Sequence, residues 1–336
     1  MKYSVIIPVY NCSDYLRSCV ESLPLSRQDL QVLLIDDGST DGSGALCDAL
    51  AAQYDCIRVI HQQNSGVSAA RNRGIREAEG DYLLFIDADD TVDTQLLDQL
   101  LNDFPGTGAD MAIFGICFDY YHHGKQYRSD LLAYAESGLL DSNHWSEHFA
   151  ELFEANAISS SCTKILKKRI LHENSIGFAQ DMFLYEDLEL MLRYAAHCGS
   201  IYNDPRGIYH YRQSEDEGNA GRRLKRIDRL SGFMKPLETA MEGLSGIVPE
   251  TQRKRILLRL YMMLAQGKIG ISNLDGIRKL CADYREWSDG KELPVLDKKF
   301  QHQLSEGKAR SLYLQNKKTA LRHKLAVAVK SVIRRS

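Results

Sequence analysis

The 336-residue sequence predicts an α/β protein built on a mostly parallel sheet, with a helical extension after it. Two observations carry that prediction. Short aliphatic or β-branched runs alternate with longer amphipathic stretches through the first hundred residues, and each run ends in a cluster of polar side chains. Alternation of this kind buries parallel strands between two layers of helices and gathers ligands at the carboxyl ends of the strands.

The elements follow in order. Tyr3 to Val9, Gln31 to Ile35, Ile57 to Ile60 and Tyr82 to Ile86 read as strands, and the segments after Ser13, Asp41, Gly66 and Asp93 have helical spacing. The strand exits are Pro8-Val9-Tyr10-Asn11, then Asp36 to Asp41, then His61 to Gly66, then Asp87-Ala88-Asp89-Asp90. From Ala109 the pattern loosens into a strand at Met111 to Phe118, a partner around Tyr127 to Tyr134, and helical stretches from Ser146 and Glu186. A strand-like run, Ile208 to Arg212, precedes the polar stretch Ser214 to Gly221, which reads as a mobile loop. Beyond Arg222 the spacing is helical, with breaks near Gly246 to Pro249, Gly270 to Asn273 and Ser288 to Pro294. The expected division is therefore 1–103 and 104–221 as two halves of one α/β domain, then 222–336 as a helical extension.

Composition excludes several classes. With 44% hydrophobic and 26% charged residues the chain is an ordinary globular one. Its net charge of −3 is unevenly spread: residues 308–336 hold nine Lys or Arg and no Asp or Glu, leaving 33 basic against 45 acidic side chains elsewhere. An acidic body with a basic tail argues against a nucleic-acid footprint and points to one contact with an anionic surface. The eight cysteines form no CxxC pair, so neither a zinc site nor a disulfide scaffold is expected, and a reducing cytosol is the expected home. No uncharged apolar run approaches the ~18 residues of a membrane span, so the expectation is a soluble or peripheral protein. Gly42-Ser43-Gly44 and Gly106-Thr107-Gly108 lack the third glycine of a dinucleotide fingerprint, and no P-loop is present. Phosphate recognition must then run through a metal and basic side chains.

Asp87, Asp89 and Asp90 place three carboxylates within four residues after a buried strand. Their repulsion is offset most simply by a divalent cation, Mg²⁺ or Mn²⁺, which shares its other positions with a diphosphate. A helix cap is the structural alternative. Asp36 and Asp37 stand in a sequence that suits a turn, yet a turn does not require two adjacent carboxylates. One of them can accept from a base imide or from ribose hydroxyls.

These exits, together with Asn64-Ser65-Gly66 through Ala70-Arg71-Asn72-Arg73-Gly74, resemble the motifs of family 2 glycosyltransferases of the GT-A fold. The resemblance is specific across about 80 residues, extends more loosely to about residue 215 and then fades. It implies that Tyr10, beside Pro8, stacks on a nucleobase, that Asp37 binds uracil, and that Asn64 and Arg71 contact ribose or phosphate. The DxD motif maps to Asp87 and Asp89, with Asp89 on the metal and Asp87 on the ribose or donor sugar. Tyr185-Glu186-Asp187-Leu188 resembles the Glu-Asp motif whose Asp is the catalytic base, so Asp187 takes that role, although a Glu-Asp pair also complements a helix dipole. His210 is implied as a second metal ligand and Arg212 as a partner of the departing diphosphate. Lys164 matches a segment found in bacterial relatives without a firm role.

The implied reaction is metal-dependent, inverting transfer from a UDP-sugar to an acceptor hydroxyl on a saccharide or lipid-linked intermediate of an envelope polysaccharide. A non-catalytic nucleotide-sugar binder on the same fold is the alternative. A sugar nucleotidyltransferase fits less well, because the loop after the first strand, Asn11-Cys12-Ser13-Asp14, is neither basic nor glycine-rich. In the tail, Leu321, Leu325, Ala328 and Val332 recur at helical spacing among basic residues, which suits a helix lying on anionic lipid at the inner face of the cell membrane. A helix docked on the body with a basic outer face is the other reading.

Overall fold

The computed structural model describes residues 2–214 and 226–315. The expected loop at 214–221 and the apolar stripe of the tail lie almost wholly outside the described residues. The chain separates into two compact units, Met1–Glu217 with Ala240–Pro249, and Gly218–Thr239 with Glu250–Ser336.

In the first unit the alternation takes the expected form. Strands β1 (Tyr3–Val9), β2 (Leu30–Asp36), β3 (Ile57–His61) and β4 (Tyr82–Phe85) lie side by side in the order β3-β2-β1-β4, all parallel. All seven residues of β2 are buried and six of the seven in β1, as expected for central strands covered on both faces. Helices α1 (Ser13–Glu21), α2 (Ser43–Gln53) and α3 (Val67–Glu77) provide the crossovers, and α4 (Thr94–Thr107) follows the fourth strand exit. The Asp93 side chain caps α4 by accepting from the backbone N–H groups of Gln95 and Leu96 at 3.0 and 2.9 Å.

The far half of the sheet departs from the expectation. A two-residue strand β5 (Thr91–Val92) pairs antiparallel with β10 (Ser200–Ser214), and β6 (Met111–His122) runs parallel to β10. The hairpin partner β7 (Lys125–Leu132) pairs with β6, and β8 (Gly138–Asp141) with β10. Between β4 and β6 the sheet admits β9 (Lys164–Lys167), antiparallel to both. Four residues with lysine at each end do not read as a strand, yet three of the four are buried. Likewise β10 begins at Ser200 rather than Ile208, because Asn203 to Gly207, which spells a turn, is held in the sheet by register shifts at Asp204 and Gly207. The helical stretch expected from Ser146 is two short helices, α5 (Ser142–Glu147) and α6 (Phe149–Glu154), and α7 (Lys168–Glu173) and α8 (Glu186–Ala195) follow.

The second unit is helical among its described residues. It contains most of α9 (Leu230–Glu242), then α10 (Glu250–Ile271), α11 (Leu274–Ser288) and α12 (Lys298–Ser305). Buried Asp283 on α11 gathers Arg229 Nε at 3.2 Å, the Ser231 N–H at 3.0 Å, the Ser231 hydroxyl, and Tyr261 Oη at 2.9 Å, tying three segments to one carboxylate. Among the described residues no helix is long and apolar enough to cross a membrane.

Candidate active site

The four strand exits lie on one edge of the sheet, as parallel pairing of β1, β2, β3 and β4 demands. At the second exit Asp37 is buried and accepts from Gln62 Nε2, the Ser65 N–H and the Gly66 N–H, each at 2.8 Å. A carboxylate offers about four acceptor positions, so roughly one remains for a ligand. The glycine after it is obligatory: Gly38 has φ +74°, and a Cβ there would sit 2.9 Å from the Asn64 nitrogen. Asp36 instead serves the turn, accepting from the Ser39 N–H at 3.0 Å and pairing with His61 Nδ1 at 2.8 Å. Tyr10 is 52% exposed just past β1, Pro8 lies within β1, and Asn64 is exposed in the loop that Asp37 organises.

The densest arrangement joins the fourth exit to α8. Arg71, on α3 and only 5% exposed, donates from Nη2 to Asp87 Oδ1 and from Nη1 to Asp187 Oδ1, both at 2.8 Å. Glu186 Oε1 lies 3.6 Å from the same Nη1, and the Phe178 ring lies beneath the guanidinium at 5.2 Å. The sequence shows none of these contacts, because Asp187 is 116 positions from Arg71. Asp187 also receives the Ser161 N–H at 3.5 Å, and the Cys162 thiol approaches Asp87 Oδ2 at 3.6 Å. Burial pushes the Asp187 carboxyl above its ordinary value; Arg71 opposes that shift and Asp87 adds to it. A carboxylate whose proton affinity is raised in this way is a better proton acceptor than an ordinary one.

Asp90 belongs to the framework. It is buried, accepts from Tyr209 Oη at 2.6 Å and from the Arg212 N–H at 2.8 Å, and burial, with Asp87 and Asp89 adding to it, pushes it up to about 8. Tyr209 was not singled out in the sequence; it alternates with His210 along β10, and the period of two puts it on the opposite face. The Arg212 guanidinium lies over the rings of Tyr121 at 3.8 Å and Tyr15 at 5.0 Å.

The metal expectation can be tested on the donor set. Asp87 is engaged by Arg71 and Asp90 by Tyr209, while Asp89 is partly exposed between them. His210 pairs in register with Thr91, two residues past Asp89, and its Nδ1 lies 2.9 Å from Asp119 Oδ2, a contact of the kind that would orient the ring of a ligating histidine. Among the described residues no group of three or more His, Cys, Asp or Glu side chains is poised to hold a metal ion. This donor set fits a cation held by one or two protein ligands and completed by substrate phosphates, and does not fit a cage made by the protein alone.

Comparison with known proteins shows the family and the fold. The family model described as Glycosyl transferase family 2 matches residues 4–174. Glycosyltransferase GlyG of Streptococcus pneumoniae is 31% identical over 220 residues, covering 62% of this chain and 70% of that one. The minor teichoic acid biosynthesis protein GgaB of Bacillus subtilis is 28% identical over 267 residues, 78% of this chain but only 28% of that longer protein. Crystal structures of S. aureus TarS 1-349 match the fold, with a TM-score of 0.68 at 18% identity over 94% of this chain and 89% of that one. A second TarS structure, in complex with UDP-GlcNAc, gives a TM-score of 0.67. With a family model spanning about half of its length, and a GT-A fold shared with TarS, the chain belongs to glycosyl transferase family 2.

Proposed function

We propose that the protein transfers a sugar from a UDP-sugar to an acceptor hydroxyl with inversion, and that Asp187 is the base. The observation that carries this reading is the Arg71 bridge, which holds one carboxylate of the fourth strand exit and one of α8 at 2.8 Å each on a single guanidinium. Donor and acceptor chemistry need two such groups a short distance apart.

Asp187 takes the proton of the acceptor hydroxyl as its oxygen bonds to the anomeric carbon. The bond from that carbon to the diphosphate breaks, and UDP leaves with the electron pair. Arg71 fixes the orientation of Asp187, Asp37 and Tyr10 hold the base, Asn64 and Asp87 face the ribose or donor sugar, and Arg212 lies near the departing diphosphate. A Mg²⁺ or Mn²⁺ held by Asp89, with His210, would supply positive charge to that leaving group. The donor assignment draws support from TarS, whose structure is a complex with UDP-GlcNAc, and an envelope glycopolymer acceptor from GgaB, named for teichoic acid biosynthesis. A saccharide or lipid-linked acceptor would suit a protein held by its basic tail at the inner face of the membrane.

The test is a thermal-shift panel of nucleotides and UDP-sugars with and without Mn²⁺, followed by UDP release. Ligands of the native state raise the melting temperature, so UDP compounds should do so more than other nucleotides, and more with Mn²⁺. Asp187→Asn should retain that binding and lose on the order of 10²-fold or more in turnover. Wild-type turnover in a folded Asp187→Asn variant would overturn the base assignment.

A further inference from the structure

The backbone of Arg212 is tied to the acidic fourth exit, since its N–H donates to Asp90 Oδ1 at 2.8 Å. Among the described residues its guanidinium nonetheless forms no ion pair with a carboxylate. It lies over two aromatic rings, 3.8 Å from the centroid of Tyr121 and 5.0 Å from that of Tyr15. The three side chains come from separate elements: Tyr15 from α1, which leaves the exit that carries Tyr10, Tyr121 from β6 and Arg212 from β10. The frame is fixed, because Tyr211 pairs in register with Phe118 and their rings pack edge to face at 5.8 Å, which holds β10 against β6. A guanidinium is planar, so aromatic contacts occupy its faces and leave the N–H donors in its plane, where they suit the oxygens of a phosphate.

We propose that Tyr15 and Tyr121 are positioning residues for Arg212: their ring faces hold its guanidinium so that the N–H edge is left for the diphosphate of the donor. The inference rests on the reading of Arg212 as the diphosphate partner. An aromatic face, unlike a carboxylate, holds the cation without neutralising it, so the full charge remains for the leaving group as the bond to the anomeric carbon breaks. A long arginine side chain free in solvent loses its rotamer freedom when it binds an anion, whereas one already held on two rings has lost it beforehand.

The readout is the affinity of the full chain for UDP against that for uridine, which shares the base and ribose and has no phosphate, at one fixed Mn²⁺ concentration. Tyr121→Leu should weaken UDP by about fivefold and uridine by less than about twofold. Tyr15→Leu should act in the same direction by less, because its ring is further from the guanidinium. Tyr121→Phe keeps the ring face and should restore the wild-type ratio. In an Arg212→Ala background Tyr121→Leu should cost nothing more, as required of a ring that acts through the guanidinium. A purely structural tyrosine would lower the melting temperature and weaken both ligands alike. An unchanged ratio in folded Tyr121→Leu, or in Tyr15→Leu should Tyr121→Leu not fold, would overturn the proposal, as would full additivity with Arg212→Ala. If Arg212→Ala itself leaves the ratio unchanged, the reading of Arg212 at the diphosphate fails instead, so the two failures are distinct.

Discussion

Arg71 lies in a stretch, Ala70-Arg71-Asn72-Arg73, where any of the polar residues could face solvent, and its contacts are ones that a lysine would not reproduce. The guanidinium is a planar fork whose two outer nitrogens reach Asp87 and Asp187 in different directions, which an ammonium on a flexible stem does not reproduce. Arg71→Lys should therefore cost stability as well as rate. Breaking a buried pair costs ~3–5 kcal/mol, but Asp87 and Asp187 are 32% and 22% exposed, so roughly 2 kcal/mol is expected here. A denaturation midpoint lowered by that amount, with turnover reduced at least about tenfold, is the expected result; an unchanged midpoint would mean the two carboxylates find other partners. At this scale the sequence was legible in residue type and partly in role. Asp37, Asp87, Asp89 and Asp187 were recognisable as candidates, but that Asp90 is buried and held in the framework depends on Tyr209, 119 positions away.

Among the elements, those built from local pattern were legible and those built from long-range pairing were not. The first four strands and the helices between them follow from periodicity, and α4 begins where Asp93 signals a cap. Asp93→Ala should destabilise the protein by about 1 kcal/mol through the loss of that cap, with UDP release unchanged, as a chemical denaturation curve and an assay at saturating donor can show. Strand β9 was illegible because a strand of four residues is stabilised by its neighbours β4 and β6 and not by its own pattern. It nonetheless positions Lys164. Strand β10 hides its first half behind Asn203 to Gly207, where the residue types of a turn are recruited into a bulged strand.

For the whole molecule, the division of charge and of structure coincide only in part. The tail reading starts at Lys308, but Ala309 and Leu312 are buried in the second unit, so the stretch available for a membrane contact begins further on. Beyond Gln315 the sequence holds seven Lys or Arg and no Asp or Glu. A chain ending at Gln315 should keep its fold and lose co-sedimentation with vesicles containing anionic lipid, while the full chain pellets with them and not with neutral ones. Equal pelleting of both chains would remove the tail from the membrane contact. The sequence by itself determined the α/β class, the places of the first four strands along the chain, the rim on which their polar exits meet, and the family, because each of these rests on residues close together in the chain. Only the tertiary structure decided that Arg71 joins the fourth exit to α8, that Asp90 is locked away on Tyr209, and that Lys164 is completely buried. Charge pairing and burial act through space, between residues that the sequence sets up to 122 positions apart.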